Sequence, residues 1–418
     1  MDTVRLDRDV LQTTTPGGVT VLSERVASVR SAAVGIWVRT ASVHEPRPKM
    51  GVSHLLEHMV FKGTERRSAQ EIARELESRG GMLDAYTSRD TTAYQARVLD
   101  ADLPRALDVL TDVVRHPALR EADLQLERNV ILEEINTVED TPDDLVFDLT
   151  AEALWPEHPY GYSILGTRDT VSSLSTDDLR LLHGRAYYPG NCVIAAAGNV
   201  EHSALLDLVA AQGWFEAPNG NGRAPAPPPG MAAVRGREVR HPKDTAQTHM
   251  VLATDAVPFA DPRKYALMVL ANVFGGGMSS RLFQRIREEL GLAYAVYAYT
   301  NFHGRVGVLG VYVGTQPRTA TQAAETIREE YGKLARAGLT PDALEQAKQQ
   351  TQGQLTLMLE SPTARMYRLA GFAVHGEPYR SLDEMLAEIA ALTPPQAADV
   401  AAEFFAPERQ TLVWLGPN

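Results

Sequence analysis

A chain of 418 residues, 44% of them hydrophobic, is long enough to bury the cores of two or more domains. Its net charge of -12 argues against nucleic acid or an anionic membrane as the main partner, and no apolar run approaches the roughly 18 residues of a membrane-spanning helix. The single cysteine, Cys192, excludes an internal disulfide and a cysteine-rich metal site, and we interpret it as a small buried apolar residue. The first residues lack the apolar core of a signal peptide, which predicts a cytoplasmic protein.

The first half of the chain mixes strands and helices. Strands are predicted at 19–26 (VTVLSERV) and at 32–40 (AAVGIWVRT), the second with apolar residues at alternating positions. Helices are predicted at 69–80, which ends in glycine, and at 102–117, which ends in proline. Because neighbouring strands are joined by short turns and the helices form separate runs, this pattern favours an α+β sandwich over a doubly wound parallel sheet.

The stretch 51–60, GVSHLLEHMV, is predicted to form a helix with two distinct faces. At about 100° per residue its apolar side chains form one stripe that indicates packing into a core: Val52, Leu55, Leu56, Met59 and Val60. His54, Glu57 and His58 lie on the opposite face. Two histidines four residues apart can coordinate one metal ion, and Glu57 can then reach water at the metal without being a ligand. A solvated polar face, or two histidines with ordinary partners, explains the same residues, so the motif alone only suggests a metal site.

A third ligand is predicted in the stretch 124–140, LQLERNVILEEINTVED. Helical periodicity places Glu127 and Glu134 on one face together with three apolar residues, Val130, Ile131 and Val138. A carboxylate in an apolar line is unfavourable unless it meets a cation, so Glu134 fits a metal ligand and Glu127 fits a residue that holds a ligand in place. Glu133 points about 100° away and is expected to face solvent, although its adjacency leaves it open as the ligand.

The two halves of the chain are predicted to be copies of one domain. Residues 173–200 align without a gap with residues 391–418, and each segment is predicted to form a helix, an aromatic–Pro turn and a short apolar strand. The tripeptide AYT also occurs twice, at 85–87 and at 298–300. These repeats indicate a duplicated domain.

A segment rich in Pro, Gly and Asn separates the two copies and is predicted to be an exposed linker. The predicted organisation is a metal-binding domain over 1–216, a linker over 217–231, and a homologous domain without a metal site over 232–418. Together with the element pattern, this gives two homologous α/β-sandwich domains, each a mainly antiparallel sheet flanked by helices.

The motifs resemble those of a known peptidase family. The order His-x-x-Glu-His is the inverted zinc motif of inverzincins. GVSHLLEHMVFKGT, with 75 residues between its His58 and Glu134 of ERNVILEEI, is similar to the pitrilysin/insulinase family of zinc peptidases. More narrowly, the chain resembles the half-length branch that includes the mitochondrial processing peptidase subunits and small bacterial peptidases. Further matches, such as LDAYTSRDTTAY and FGGGMSSRLFQRIREELGLAYAVYA, extend the resemblance over nearly the whole chain.

This resemblance implies the roles of five residues around one Zn²⁺ ion per chain. His54, His58 and Glu134 are implied as the zinc ligands, and Glu57 as the base that activates the attacking water. Glu127 corresponds to the additional acidic residue that the family has near the site.

The resemblance also implies residues that contact the substrate. Arg287 and Tyr294 in the second half match an arginine–tyrosine pair, seven residues apart, and Tyr294 is also the candidate donor to the oxyanion. LDAY matches the edge strand along which a peptide lies, which implies substrate contacts at Asp84 and Ala85. Relatives often carry asparagine where this chain has Asp84.

The function implied is that of a zinc-dependent endopeptidase that cleaves unfolded peptides or flexible segments in an enclosed chamber. Full-length relatives join four such domains, so a two-domain chain is expected to form a homodimer. Two alternatives remain open: a non-catalytic subunit of a related peptidase, and a partner that binds peptides without cleaving them. We expect a bacterial cytoplasmic protein with no nucleic-acid or membrane partner.

Overall fold

The computed structural model of the protein describes residues 2–216, 226, 228, 230, 231 and 234–417, so most of the predicted linker 217–231 lies outside the described residues. The strands are β1 (Thr3–Asp7), β2 (Val10–Thr14), β3 (Thr20–Arg25), β4 (Ser31–Val38), β5 (Met82–Thr87), β6 (Thr92–Leu99), β7 (Cys192–Gly198), β8 (Glu238–Pro242), β9 (Thr248–Ala256), β10 (Ala293–Phe302), β11 (Gly307–Thr315) and β12 (Thr411–Gly416). The α-helices are α1 (Val52–Val60), α2 (Ala69–Glu77), α3 (Leu103–Arg115), α4 (Glu121–Asp140), α5 (Pro142–Leu154), α6 (Arg168–Ser173), α7 (Thr176–Ala186), α8 (His202–Ala211), α9 (Lys264–Gly275), α10 (Ala320–Ala337), α11 (Pro341–Met358), α12 (Pro362–Val374), α13 (Leu382–Ala390) and α14 (Pro394–Phe404). Within the described part of the chain, none of these helices is both long enough and apolar enough to cross a membrane.

The strands form two sheets, one in each of two compact units. The first unit contains a seven-stranded sheet in the order β1-β2-β3-β7-β4-β6-β5, in which only the β3–β7 pair is parallel. The second unit contains a five-stranded sheet in the order β10-β11-β9-β12-β8, in which only the β8–β12 pair is parallel. Both sheets are flanked by helices, which confirms the predicted α+β class with mainly antiparallel sheets.

The two sheets repeat one topology. The order β5-β6-β4-β7-β3 of the first sheet recurs as β10-β11-β9-β12-β8 in the second, with the parallel pair at the same place. The strands β7 and β12, which end the two aligned sequence segments, occupy equivalent central positions. Both AYT tripeptides lie on the edge strand of their sheet, in β5 and β10. The two sandwiches therefore share one topology, as the predicted duplication requires.

Each unit takes one helix from the other half of the chain. Residues 136–162, which include α5, belong to the second unit, where α5 packs against β9 and β12. Residues 358–381, which include α12, belong to the first unit, where α12 packs against β3, β4 and β7. The sequence suggests the halves 1–216 and 232–418. In the structure, one segment of each half belongs to the compact unit formed mainly by the other half.

The core of the first unit lies on both faces of its sheet. On one face, the apolar stripe of α1 packs with α3 and the strands, and Leu55, Leu56 and Met59 are fully buried, as predicted. On the other face, α12 packs over Trp37. Cys192 lies inside this core, where burial raises the pKa of its thiol to about 12. Its predicted role as a buried apolar residue is confirmed.

Helix α12 is also fixed by charge. Glu24 on β3 is buried and accepts hydrogen bonds from Arg365 at 2.5 Å and from Arg368 at 2.9 Å. A buried carboxylate needs such partners, because an unpaired charge in the core is strongly destabilising. The pairs therefore hold the helix from the second half of the chain on the first sheet.

Candidate metal centre

The helix that carries the histidines has a tightly defined start. Gly51 precedes α1 with φ +87°, and a Cβ atom there would lie 2.5 Å from the Leu165 carbonyl oxygen, so only glycine fits. The buried Glu45 carboxylate accepts hydrogen bonds from the backbone N–H groups of Gly51 at 2.9 Å and Ser53 at 2.7 Å. These bonds satisfy N–H groups that a helix start otherwise leaves unpaired. The first turn of α1, and with it His54, is thereby held in place.

His54, His58 and Glu134 converge on one point. The two imidazole rings lie with their centroids 4.6 Å apart, and the Glu134 Oε2 atom is 3.7 Å from the Nε2 atom of each histidine. One ligand atom from each of the three residues lies within 4.8 Å of the others. Ligands of a tetrahedral ion bound at 2.0–2.1 Å are about 3.3 Å apart, so a small inward movement of these side chains would accommodate zinc.

The environment of His54 favours metal binding. Burial and the neighbouring His58 ring lower the pKa of His54 to about 3, so its imidazole is neutral at physiological pH. Among the described residues, no group forms a hydrogen bond with its buried Nδ1 atom. A neutral imidazole is the form that coordinates zinc, and the donor set of two nitrogens and one carboxylate oxygen is typical of catalytic zinc sites.

Glu127 orients the second histidine. Its Oε2 atom accepts a hydrogen bond from His58 Nδ1 at 3.1 Å, which leaves Nε2 facing Glu134. The Lys62 ammonium contacts the other oxygen of the buried Glu127 carboxylate. The structure thus places Glu127 beside His58. Sequence reasoning did not identify Lys62, although it lies four residues after His58.

Glu57 lies beside His54, His58 and Glu134 without belonging to this cluster. Its side chain is buried, with 8% of the residue exposed, and burial raises the pKa of its carboxyl. The Thr87 hydroxyl donates a hydrogen bond to Glu57 Oε2 at 2.6 Å, which acts in the opposite direction on that pKa. Since His54 and Glu57 are both buried, the polar face of α1 is not the solvated face that remained an alternative on sequence grounds.

The structure corrects the packing face predicted for α4. Val130 is 48% exposed, and the buried residues are Leu124, Glu127, Ile131 and Ile135. The packed face is therefore rotated toward positions 124 and 135, because the helix is oriented by its neighbours rather than by its own apolar residues alone. Glu134 lies at the margin of this face and reaches the histidines, whereas Glu133 is exposed and outside the cluster.

Strand β5, predicted to receive the peptide, is an edge of the first sheet. It pairs with β6 on one side, with Asp84 opposite Gln95 and Ala85 opposite Tyr94. Ala85 faces the core that contains α1, whereas Asp84 lies on the alternate face and accepts a hydrogen bond from Gln95 at 3.1 Å. The Asp84 side chain therefore lies on the face of the sheet opposite α1.

Arg287 and Tyr294 are neighbours in the second unit. Arg287 lies in a π-helical segment, Phe283–Glu289, and its guanidinium stacks 4.4 Å from the centroid of the Tyr294 ring. Its Nη1 atom also donates a hydrogen bond to the Tyr294 carbonyl oxygen at 3.1 Å. Tyr294 is 78% exposed near the start of edge strand β10, beside a register shift, so its phenol is available to a ligand.

Comparison with known proteins gives the same family over both halves. Residues 20–168 match Insulinase (Peptidase family M16), and residues 173–351 match the Peptidase M16 inactive domain. The chain is 39% identical over 412 residues to an uncharacterized zinc protease of Streptomyces coelicolor, covering 98% of this chain and 90% of the relative. It is 38% identical over 405 residues to the uncharacterized zinc protease YmxG of Bacillus subtilis, covering 97% and 98% respectively.

Solved structures share the fold. One is the peptidase M16 inactive domain from Pseudomonas fluorescens, with a TM-score of 0.90, 22% identity and 98% of each chain covered. Another is a protease from Helicobacter pylori, with a TM-score of 0.91 and 23% identity over 97% of this chain and 99% of that one. Taken with the sequence relatives, these matches show that the chain belongs to peptidase family M16, the insulinase family, in its half-length branch.

Proposed function

We propose that the protein is a zinc-dependent endopeptidase in which Glu57 is the general base. The observation that carries this proposal is the convergence of two histidine nitrogens and the Glu134 carboxylate beside a separate, buried glutamate. Three protein ligands with a fourth position left open, and an adjacent acid–base residue, are what catalytic zinc sites require.

In this proposal His54, His58 and Glu134 hold the zinc ion, one per chain. The chemistry that zinc supplies when bound is Lewis acidity toward water and toward the scissile carbonyl. Glu127 holds the His58 ring through Nδ1, and Lys62 balances the charge of Glu127.

Glu57 carries the proton transfers. As a carboxylate it takes a proton from the water molecule that attacks the peptide carbonyl, and it then delivers that proton to the leaving amine as the C–N bond breaks. Burial raises its pKa toward the pH at which the enzyme works, which favours both the uptake and the return of the proton. Thr87 occupies Oε2, so Oε1 is the oxygen left to exchange the proton.

The substrate proposed is an extended peptide segment. The free edge of β5 offers backbone groups that can pair with a peptide strand, and such pairing selects unfolded chains because folded proteins do not present extended segments. We place Asp84 and Ala85 in this contact through their backbone groups. The surplus of acidic residues mildly favours basic peptides.

Arg287 and Tyr294 are proposed to contact the substrate as well, with the Tyr294 phenol as a donor to the oxyanion. We further propose that the protein acts as a homodimer that encloses the peptide, with each site taking Arg287 and Tyr294 from the second subunit. Mixing Glu57→Gln protein with Arg287→Ala protein should then restore activity, up to about half that of an equal number of wild-type sites. Mixtures that exchange subunits and stay inactive would contradict the dimer.

The proposed function is tested by zinc content and peptide cleavage in wild-type protein and in the Glu57→Gln variant. Wild type purified without chelator should hold one zinc per chain and cleave an unfolded casein but not a compact folded protein. The variant should keep the zinc and lose 10²–10⁴-fold or more in turnover, the range of general-base catalysis. Zinc without cleavage in the wild type would instead indicate a non-catalytic or peptide-binding protein, and near-normal turnover in the variant would remove Glu57 from the base role.

A further inference from the structure

We propose that Thr87 is a positioning residue that fixes the carboxylate of Glu57 and connects this base to the edge strand on which the peptide lies. The inference rests on the proposed peptidase function and adds a residue that acts through Glu57. Thr87 donates to Glu57 Oε2 at 2.6 Å, a distance typical of a strong hydrogen bond between a hydroxyl and a carboxylate.

The Glu57 carboxylate needs an external anchor. Glu57 extends from the middle of the nine-residue helix α1, and the torsion next to a glutamate carboxylate is broad rather than confined to one staggered position. A base whose oxygen must meet a water proton at hydrogen-bond distance is sensitive to such rotation. The Thr87 hydroxyl has one proton to donate, so it binds one carboxylate oxygen and directs the other away from itself.

The position of Thr87 makes it a firm anchor. It is the last residue of β5, paired with Thr92 across a tight turn in which the Ser88 N–H bonds to the Thr91 carbonyl oxygen at 2.9 Å. Strand alternation puts Thr87 on the same face as Ala85, the face that packs toward α1. The branched Cβ of threonine restricts χ1, so the hydroxyl is held toward Glu57 with little loss of side-chain freedom.

The same strand is the proposed docking edge for substrate. A peptide that pairs with β5 is held by the backbone of the strand whose end anchors the base. The distance between the base and the scissile carbonyl is then set by a few residues of one strand, because the same strand binds the peptide and anchors Glu57. We therefore expect loss of the Thr87 hydroxyl to affect turnover and to leave peptide affinity nearly unchanged.

The test compares Thr87→Val, which keeps the shape and removes the hydroxyl, with Thr87→Ser, which keeps the hydroxyl. A quenched fluorescent peptide of about ten residues serves as the substrate probe. Thr87→Val should lower kcat about 10–100-fold with KM changed less than about twofold, since small displacements of a reacting group cost rate on this scale. Thr87→Ser should recover most of the loss, and both variants should keep the wild-type zinc content.

A matched control lies in the second unit. Thr300 ends the other AYT tripeptide on the equivalent edge strand β10, and the helix α9 of that unit contains no glutamate. Thr300→Val should leave kcat unchanged, which separates the contact with Glu57 from a general effect of removing a strand hydroxyl.

A second readout does not depend on activity. In crystal structures of the metal-free variants, the Glu57 carboxylate should leave its wild-type position in Thr87→Val and keep it in Thr87→Ser. An unmoved carboxylate, an unchanged kcat, or loss of zinc from Thr87→Val would each overturn the positioning role. If zinc-loaded wild type fails to cleave the probe at all, the peptidase function itself is wrong, an outcome distinct from any of these.

Discussion

The two sheets have the same topology, but the helices α1 and α9, which follow equivalent strands β4 and β9, carry different side chains. In the first unit α1 carries His54, Glu57 and His58, whereas the helix α9 in the second unit, KYALMVLANVFG, has neither histidine nor glutamate. Among the described residues of the second unit, no three such groups converge as a metal site. Both helices still bury an apolar face. The comparison indicates that the shared fold needs only the apolar face of this helix. The polar cluster on α1, the proposed metal site, is an addition, and its buried polar groups are unfavourable without a ligand.

The largest expected effect follows from removing the third ligand of this additional site. Glu134→Gln should lower zinc affinity by several orders of magnitude and abolish peptide cleavage, because a neutral amide is a poor substitute for a carboxylate ligand. Glu133→Gln is the matched control, since Glu133 is the exposed neighbour on the same helix. Zinc content after dialysis and peptide hydrolysis measure both. Equal zinc loss in the two variants would show that the effect comes from the helix and not from a ligand.

A smaller effect is expected from Glu127→Gln, which weakens the hydrogen bond that orients His58. Zinc affinity should fall about 10–100-fold, the usual consequence of losing a carboxylate that supports a histidine ligand. The measurement is competition with a chelator of known affinity. An unchanged zinc affinity would mean that Glu127 only forms an ion pair with Lys62 and does not support His58 as a ligand.

The second unit is tested by the Arg287–Tyr294 pair. Tyr294→Phe should reduce kcat/KM about 10-fold with zinc content unchanged, because the phenol is proposed as a donor and not as a ligand. Tyr297→Phe, on the same strand and 41% exposed, is the control and should have little effect. If both variants cleave as fast as wild type, the Tyr294 phenol does not act as a donor to the oxyanion.

The cap of α1 affects the stability of the fold rather than catalysis. Burial raises the pKa of Glu45 to about 7, so between about pH 4.5 and 7 the folded protein keeps a proton that the unfolded chain releases. Stability from this group is therefore greatest at low pH and decreases as pH rises through that window. At about 1.4 kcal/mol per pKa unit, the decrease is at most about 3.5 kcal/mol.

Denaturant unfolding of the metal-free protein at pH 5 and pH 8 measures this dependence. Glu45→Gln cannot titrate, so its stability should change less than that of wild type between the two pH values. The variant replaces one of the two oxygens that accept from the Gly51 and Ser53 N–H groups with an amide NH2, which cannot accept, and it should be the less stable protein at pH 5. Parallel pH profiles for the two proteins would show that Glu45 does not titrate in this range.

Local periodicity accounts for what the sequence predicts about the site. The faces of α1, the placement of His54 and His58 on one side, and the repeated segments that end in β7 and β12 all follow from spacing within a single element. The packed face predicted for α4 is partly wrong, since Val130 is exposed. A helix that carries charged residues on several sides does not by its own composition determine which side is packed.

The sequence by itself determined the zinc motif, the duplication and the α+β class, because these depend on spacings of a few residues and on the family resemblance that they carry. Only the tertiary structure decided that Glu134 and not Glu133 reaches the histidines, and that α5 and α12 each pack on the sheet of the other half. It alone also brought Lys62 to Glu127 and Thr87 to Glu57. Such contacts join residues far apart in the chain, and their geometry depends on how whole elements pack, which no local pattern encodes.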